Sequence, residues 1–112
     1  MSAGARRWPL VLERAERLPD GAGGVATTWT ALGTLWADVQ SAVGRETTIG
    51  ERGVSVQEYR ITVPAAAPGA PSRPAAQDRF RHGARVFHIL AVGEADPKGR
   101  LLRCRALEET TP

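Results

Sequence analysis

Residues 84–107 read ARVFHILAVGEADPKGRLLRCRAL, and they decide the fold class. On either side of Asp96-Pro97-Lys98-Gly99 lies an apolar run of strand length. Pro97 presets φ for the second turn position and Gly99 accepts a positive φ, so the two runs are expected to form a hairpin. Successive side chains on a strand face opposite sides. In the first run Val86, His88, Leu90 and Val92 therefore oppose Phe87, Ile89 and Ala91. In the second, Leu102, Cys104 and Ala106 oppose Leu101, Arg103, Arg105 and Leu107, which turns the two arginines toward solvent or a partner.

Working outward, the same period of two recurs. VSVQEYRITV (54–63) is rich in β-branched residues and sets Val54, Val56, Glu58 and Arg60 against Ser55, Gln57, Tyr59, Ile61 and Val63. GTLWADVQSAV (33–43) sets Leu35, Ala37, Val39 and Ser41 against Trp36, Asp38 and Gln40. WPLVLER (8–14) opens the chain as a short strand, with Pro9 suited to an edge or first position. Residues 45–53, RETTIGERG, are expected to give at most a turn of helix. Residues 64–77, PAAAPGAPSRPAAQ, carry four prolines and nothing large to bury, which marks an extended loop inserted between strands. The sum is an all-β fold: a small six-stranded, partly open barrel or sandwich with long loops, in one domain spanning 1–112.

Composition narrows the function. The 112 residues carry a net charge of +3 with hydrophobics at 42% and aromatics at 5%, so the core must come mostly from aliphatic side chains. Trp36, Val39, Phe87 and Ile89 are the expected core anchors. A thin core of this kind is often supplemented by a partner. Nearly every cation is arginine; a GC-rich coding style accounts for that, and phosphate contact is the functional alternative. A single cysteine, Cys104, excludes an internal disulfide, and no Cys/His set has metal-ligand spacing. The N-terminal apolar run is broken by Pro9 and Glu13, so neither a signal peptide nor a membrane span is expected. These features describe a soluble intracellular protein without a cofactor.

The glycines of LPDGAGGVATTW (18–29) resemble a phosphate cradle only superficially. A cradle needs a helix starting directly after it, whereas this segment runs into β-branched residues. They read as turn residues. His82 in a turn and His88 in a strand have structural roles, the carboxylates are scattered among arginines, and no Ser, Cys or Thr sits beside a plausible base. No enzyme is expected. Arg73, Arg79, Arg81 and Arg85, with Phe80 among them, form a weak basic patch in one copy and a positive collar if repeated around a ring.

In order, these pieces resemble the head-tail joining family of long-tailed bacteriophages, also called head-closure, stopper or head-tail adaptor proteins. The resemblance runs from Arg7 to Glu109. It rests on Asp20, Gly23, Gly24 and Trp29; on Trp36, Ala37, Gly44 and Glu46; on Arg60, Ile61 and Thr62; and on Gly83, Arg85, Phe87 and Ile89. It implies a small β-barrel assembled as a ring of six or twelve copies in the virion of a phage or gene transfer agent. Such a ring stands between the portal and adaptor on the head side and the tail terminator or tail tube on the other. It retains packaged double-stranded DNA without reading its sequence. Under that reading Arg73, Arg79 and Arg81 face the channel or DNA, and Trp29, Gly23, Gly24, Arg45, Glu46 and Arg52 make ring or inter-ring contacts. Two readings compete: a stand-alone nucleic-acid-binding barrel of OB or SH3-like type, with Phe80 and Tyr59 as stacking aromatics, and a tail-completion protein of the neck.

Overall fold

The computed structural model describes residues 6–49, 54–67 and 70–110. They contain six strands: β1 (Arg6–Pro19), β2 (Val25–Ile49), β3 (Val54–Pro64), β4 (Arg79–His82), β5 (Arg85–Glu94) and β6 (Leu101–Thr110). All neighbours are antiparallel, in the order β1-β2-β3-β6-β5-β4. The sheet closes completely rather than partly, because short β4 bridges β5 and β1 and places Leu12 opposite Phe80. Closure removes the unpaired edges that an open sheet would expose.

β2 is longer than any strand the sequence suggested, and it does two jobs. Val25–Val39 pair with β1, while Asp38–Ser41 and, after a register shift, Glu46–Ile49 pair with β3. Residues 45–49 are therefore strand where a helical turn was the limit of expectation. Thr47, Thr48 and Ile49 are β-branched and find ladder partners in Val56, Ser55 and Val54 respectively, an outcome local propensity alone does not foresee. The β1–β2 register shifts between Leu12 and Glu13, so that Leu12 faces Gly33, Glu13 faces Ala31 and Leu32 is the extra residue. Gly33 sits at φ +148°, a conformation open to glycine, and the bulge marks the point where two strands leave the wall as a free ribbon.

The interior is lined by Leu10, Leu12, Ala37, Val39, Ile61, Val63, Phe80, Phe87, Ile89, Leu102, Cys104 and Ala106. Val39, Phe87 and Ile89 are thus buried. Trp36 is not: it is 57% exposed, and the core position expected of it goes to its neighbour Ala37. A six-stranded barrel has a narrow interior, already occupied by two phenylalanines and a set of aliphatic side chains, and the small Ala37 takes the inward position on this part of β2. Burial pushes the Cys104 thiol up to about 12, with the Asp78 charge adding to the effect, so it stays protonated and unreactive.

The proline-rich loop is tied down. Ala65 N–H donates to Arg100 O at 2.8 Å, and Gln77 N–H and Asp78 O bond to Ile89 on β5. Asp78 is buried and receives Arg14 through two bonds, Nε to Oδ1 at 3.0 Å and Nη2 to Oδ2 at 2.9 Å. Far from extending freely, the described part of this loop packs along the wall.

Candidate interaction surfaces

The arginines singled out in the sequence are engaged within the chain. Arg73 Nη1 donates to Ala66 O at 2.7 Å, and its own carbonyl accepts Arg14 Nη2 at 3.3 Å, so Arg73 staples the loop. Arg79 and Arg81 project from the same side of β4 and share the carboxylate of Glu13, at 2.7 Å and 2.9 Å. Glu13 is only 5% exposed. Burial acts to raise its pKa, but hydrogen bonds from Arg81 and Arg79, and their charges, prevail and hold it below the usual carboxylate value. With two guanidinium groups on one carboxylate, the triad keeps a net charge of +1.

Trp29 belongs to the same cluster. The Arg79 guanidinium lies 4.1 Å from its ring centroid, and His88 meets its edge at 6.4 Å. This cation–π stack fixes the base of the ribbon to the barrel wall. His88, which alternates with the buried Phe87 and Ile89, is exposed on the outer face. The acid sensitivity of the cluster follows from its sign. A carboxylate with a depressed folded-state pKa adds stability above its unfolded value and loses it as pH falls through the folded one. We therefore expect Glu13→Gln to flatten the fall in thermal stability below the ordinary carboxylate range, as read by melting at a series of acidic pH values. An unchanged slope would mean that Glu13 does not carry it.

A second cluster plugs one end of the barrel. Arg85 reaches inward to Glu108 with Nε at 2.7 Å and Nη2 at 2.8 Å, and its Nη2 also meets Tyr59 Oη at 3.2 Å. Its guanidinium carbon lies 4.9 Å from the Trp8 ring centroid and 5.0 Å from that of Phe87. Trp8 stacks in turn on His82, whose Nδ1 is 3.2 Å from Pro9 O. Sequence reading missed this plug, because Glu108 and Tyr59 look like ordinary members of their strands. Phe80 is fully buried and Tyr59 packs edge-on against Phe87 at 5.1 Å, so neither offers the open ring face that a nucleic-acid-stacking barrel would use.

Beyond the bulge, Ala15–Pro19 of β1 and Val25–Trp29 of β2 pair only with each other. Every residue from Glu16 to Thr28 is exposed. The glycine-rich segment closes this ribbon. Asp20 Oδ1 accepts the N–H groups of Ala22 at 2.8 Å and Gly24 at 3.0 Å, which lowers the Asp20 pKa. Gly21 and Gly23 adopt φ near +83° and +85°, where other residues are strained, and the Asp20 carboxylate occupies the space that a side chain at position 24 would need. This is a turn that completes an arm, with its donors turned inward onto Asp20. Of the other expected contact residues, Arg45 and Glu46 lie on β2, with Glu46 opposite Gln57, and their side chains fall outside the described ones. Arg52 lies outside the described residues altogether.

The third surface is the outer face of β1, β2, β3 and β6. Arg7, Asp38, Thr62 and Arg103 stand in one cross-strand row, and Gln40, Arg60 and Arg105 in the next. Arg105 is held by Glu58 at 3.2 Å, whereas Arg7, Arg60 and Arg103 stand outside the ion pairs formed among the described residues. Asp38 keeps one oxygen buried without a hydrogen-bond partner. On the other side of the first row, Pro9 is paired with Trp36 and Pro64 with Leu101, all four exposed.

The molecule so described is a closed all-β barrel whose polar chemistry is spent on holding its own loops, and whose uncommitted features are outward-facing patches. No group of His, Cys, Asp and Glu suited to a metal ion occurs among the described residues. Residues 1–109 match the phage head completion protein family, and the chain belongs to it. Its structure is similar to that of a chain in the virion of a native gene transfer agent particle, at 44% identity and a TM-score of 0.85, covering 96% of this chain and 98% of that one. The solution structure of a Shigella flexneri 2a protein shares the fold, at 22% identity and a TM-score of 0.63, with 96% of each chain covered. No curated protein matches the chain.

Proposed function

We propose that this chain is a structural subunit of the neck of a phage or gene transfer agent particle. It closes the DNA-filled head as a ring of six or twelve copies, beneath the portal and adaptor, and presents a docking surface to the tail terminator or tail tube. The observation that carries the reading is the full-length similarity, at 44% identity, to a chain of a gene transfer agent virion, within a family of head completion proteins. A density map of purified particles tests it: the barrel should appear as a ring on the particle axis between head and tail. Its location on the capsid shell would end the reading.

Within such a ring the Glu13–Arg79–Arg81 triads supply the DNA-facing collar, with Arg73 behind them in the loop. Support comes from their stoichiometry, two arginines for one acid, and from the 40% exposure of the Arg81 side chain. Contacts of this kind neutralise phosphate without reading bases and weaken with salt. Replacing Arg81 by Gln leaves Arg79 to hold Glu13. We expect particles carrying it to lose packaged DNA at lower salt than the parent while the isolated subunit melts within a few degrees of it. Equal DNA retention across a salt series would remove Arg81 from the collar.

A further inference from the structure

Of the five exposed large apolar side chains among the described residues, Leu90 lies on β5 and the other four fall into two separate groups. Leu18 and Val25 lie near the tip of the arm, at 51% and 66% exposure, with Pro19 paired to Val25. Trp36 and Leu101 lie on the barrel face. Continuing the β2–β3 ladder two residues past Asp38 and Thr62 brings Trp36 beside Pro64. Pro9, Trp36, Pro64 and Leu101 then form one apolar strip across four strands, about 14 Å wide at the usual spacing between neighbouring strands.

Neither group is covered by another part of the chain among the described residues. A two-stranded ribbon exposed on both faces is marginal by itself, so the arm needs a surface to lie on. It cannot lie on its own strip. Val25 and Trp36 belong to the same continuous strand, eleven residues apart in number, which is about 36 Å of extended chain. The charges flanking the two groups are complementary. Glu16 and Asp20 outnumber Arg17 on the arm, whereas Arg7 and Arg103 border the strip with Asp38 between them.

We infer that the β1–β2 arm of one copy docks across the Pro9–Trp36–Pro64–Leu101 strip of the next, with Leu18 and Val25 against Trp36 and Leu101. The two surfaces are different patches on one chain, so the contact is head-to-tail and propagates until the rotation closes a ring. Trp36 is the anchor, since tryptophan and arginine dominate the energetics of protein interfaces. The arm would gain from its neighbour the packing that its own barrel does not provide. The inference rests on the ring reading above and names the contact that builds it.

Cysteine pairing tests it in assembled particles, since Leu18 and Leu101 are both exposed and the buried native Cys104 leaves a quiet background. A chain carrying Leu18→Cys and Leu101→Cys together, treated with a short bismaleimide, should run under denaturing conditions as a ladder of covalent multimers ending at the ring number. Each single variant should remain monomeric. Dimers from Leu18→Cys alone would show an arm-to-arm contact and overturn the inference, as would a covalent link from the arm to a different protein. Rings seen in the particle without a ladder would overturn the docking mode and leave the ring intact. Particles with no ring of this chain would remove the reading beneath it.

Discussion

Replacing Phe87 by Ala will lower the stability of the isolated chain by about 3–5 kcal/mol, the range for removing a buried phenyl ring. Phe87 is wholly inaccessible to solvent. It stands opposite Phe80 on β4 and Glu108 on β6, with the Tyr59 ring 5.1 Å away edge-on and the Trp8 ring at 6.4 Å. Truncation would open a void between the hydrophobic interior and the Arg85 plug, and β-ladders on both sides restrain the wall from collapsing into it. For a chain of this size that loss corresponds to a melting temperature lower by about 10–20 °C. Trp36→Ala provides the contrast. It removes a larger side chain, yet from an exposed position, and should change stability by about 0.5 kcal/mol or less. Calorimetry of the two variants side by side checks the assignment of faces on β2 and β5 together. A larger loss from Trp36→Ala than from Phe87→Ala would reverse it.

That contrast shows where the sequence was readable. Alternation separates the two faces of a strand reliably, and in β6 the arginines at 103 and 105 also identified which face is outside. In β2 alternation grouped Leu35, Ala37 and Val39 against Trp36, but the size of the tryptophan argued for an interior place. The number of strands in a closed sheet limits the interior volume, and one strand carries no information about that limit. Hairpin chemistry at Asp96-Pro97-Lys98-Gly99 was similarly plain, because every contribution is local. Asp96 Oδ1 accepts the N–H groups of Arg100 at 2.8 Å and Leu101 at 3.0 Å, within five residues of itself.

The candidate site was far less legible. Glu13 meets Arg79 and Arg81 across 66 and 68 residues of chain, and Arg14 meets Asp78 across 64. Charges that far apart look unpaired in sequence, which is why a basic cluster at 79–85 read as free cations. The arm was hidden for a related reason. Its strands alternate like any others, and only the bulge at Leu32–Gly33 shows that the ladder continues past the barrel wall. The surfaces with no internal commitments among the described residues, Trp36 with its apolar strip and the arginines at 7, 60 and 103, were identifiable only after the internal pairs had been subtracted.

The Arg85–Glu108 plug allows the role of buried charge to be measured directly. Glu108→Ala alone leaves the Arg85 guanidinium among Trp8, Tyr59 and Phe87 with no carboxylate. Breaking a buried pair from one side costs about 3–5 kcal/mol, and because the Arg85 side chain is 39% exposed we expect a smaller loss, about 2–3 kcal/mol. Arg85→Met combined with Glu108→Leu should be nearly neutral by comparison, since well-packed apolar replacements avoid the desolvation that the ion pair must overcome. The difference between the double variant and the sum of Arg85→Met and Glu108→Leu made singly is the coupling of the pair. The pH dependence carries an independent signature. Hydrogen bonding from Arg85 lowers the Glu108 pKa against the opposing effect of burial. Between the folded and unfolded pKa values the unfolded chain binds more protons, so stability rises with pH there and is lost as pH falls through the folded value. The double variant should therefore lose part of that acid slope, while the parent keeps it. A double variant as unstable as Glu108→Ala, with the slope unchanged, would mean that the shape of the plug rather than its charge holds this end of the barrel closed.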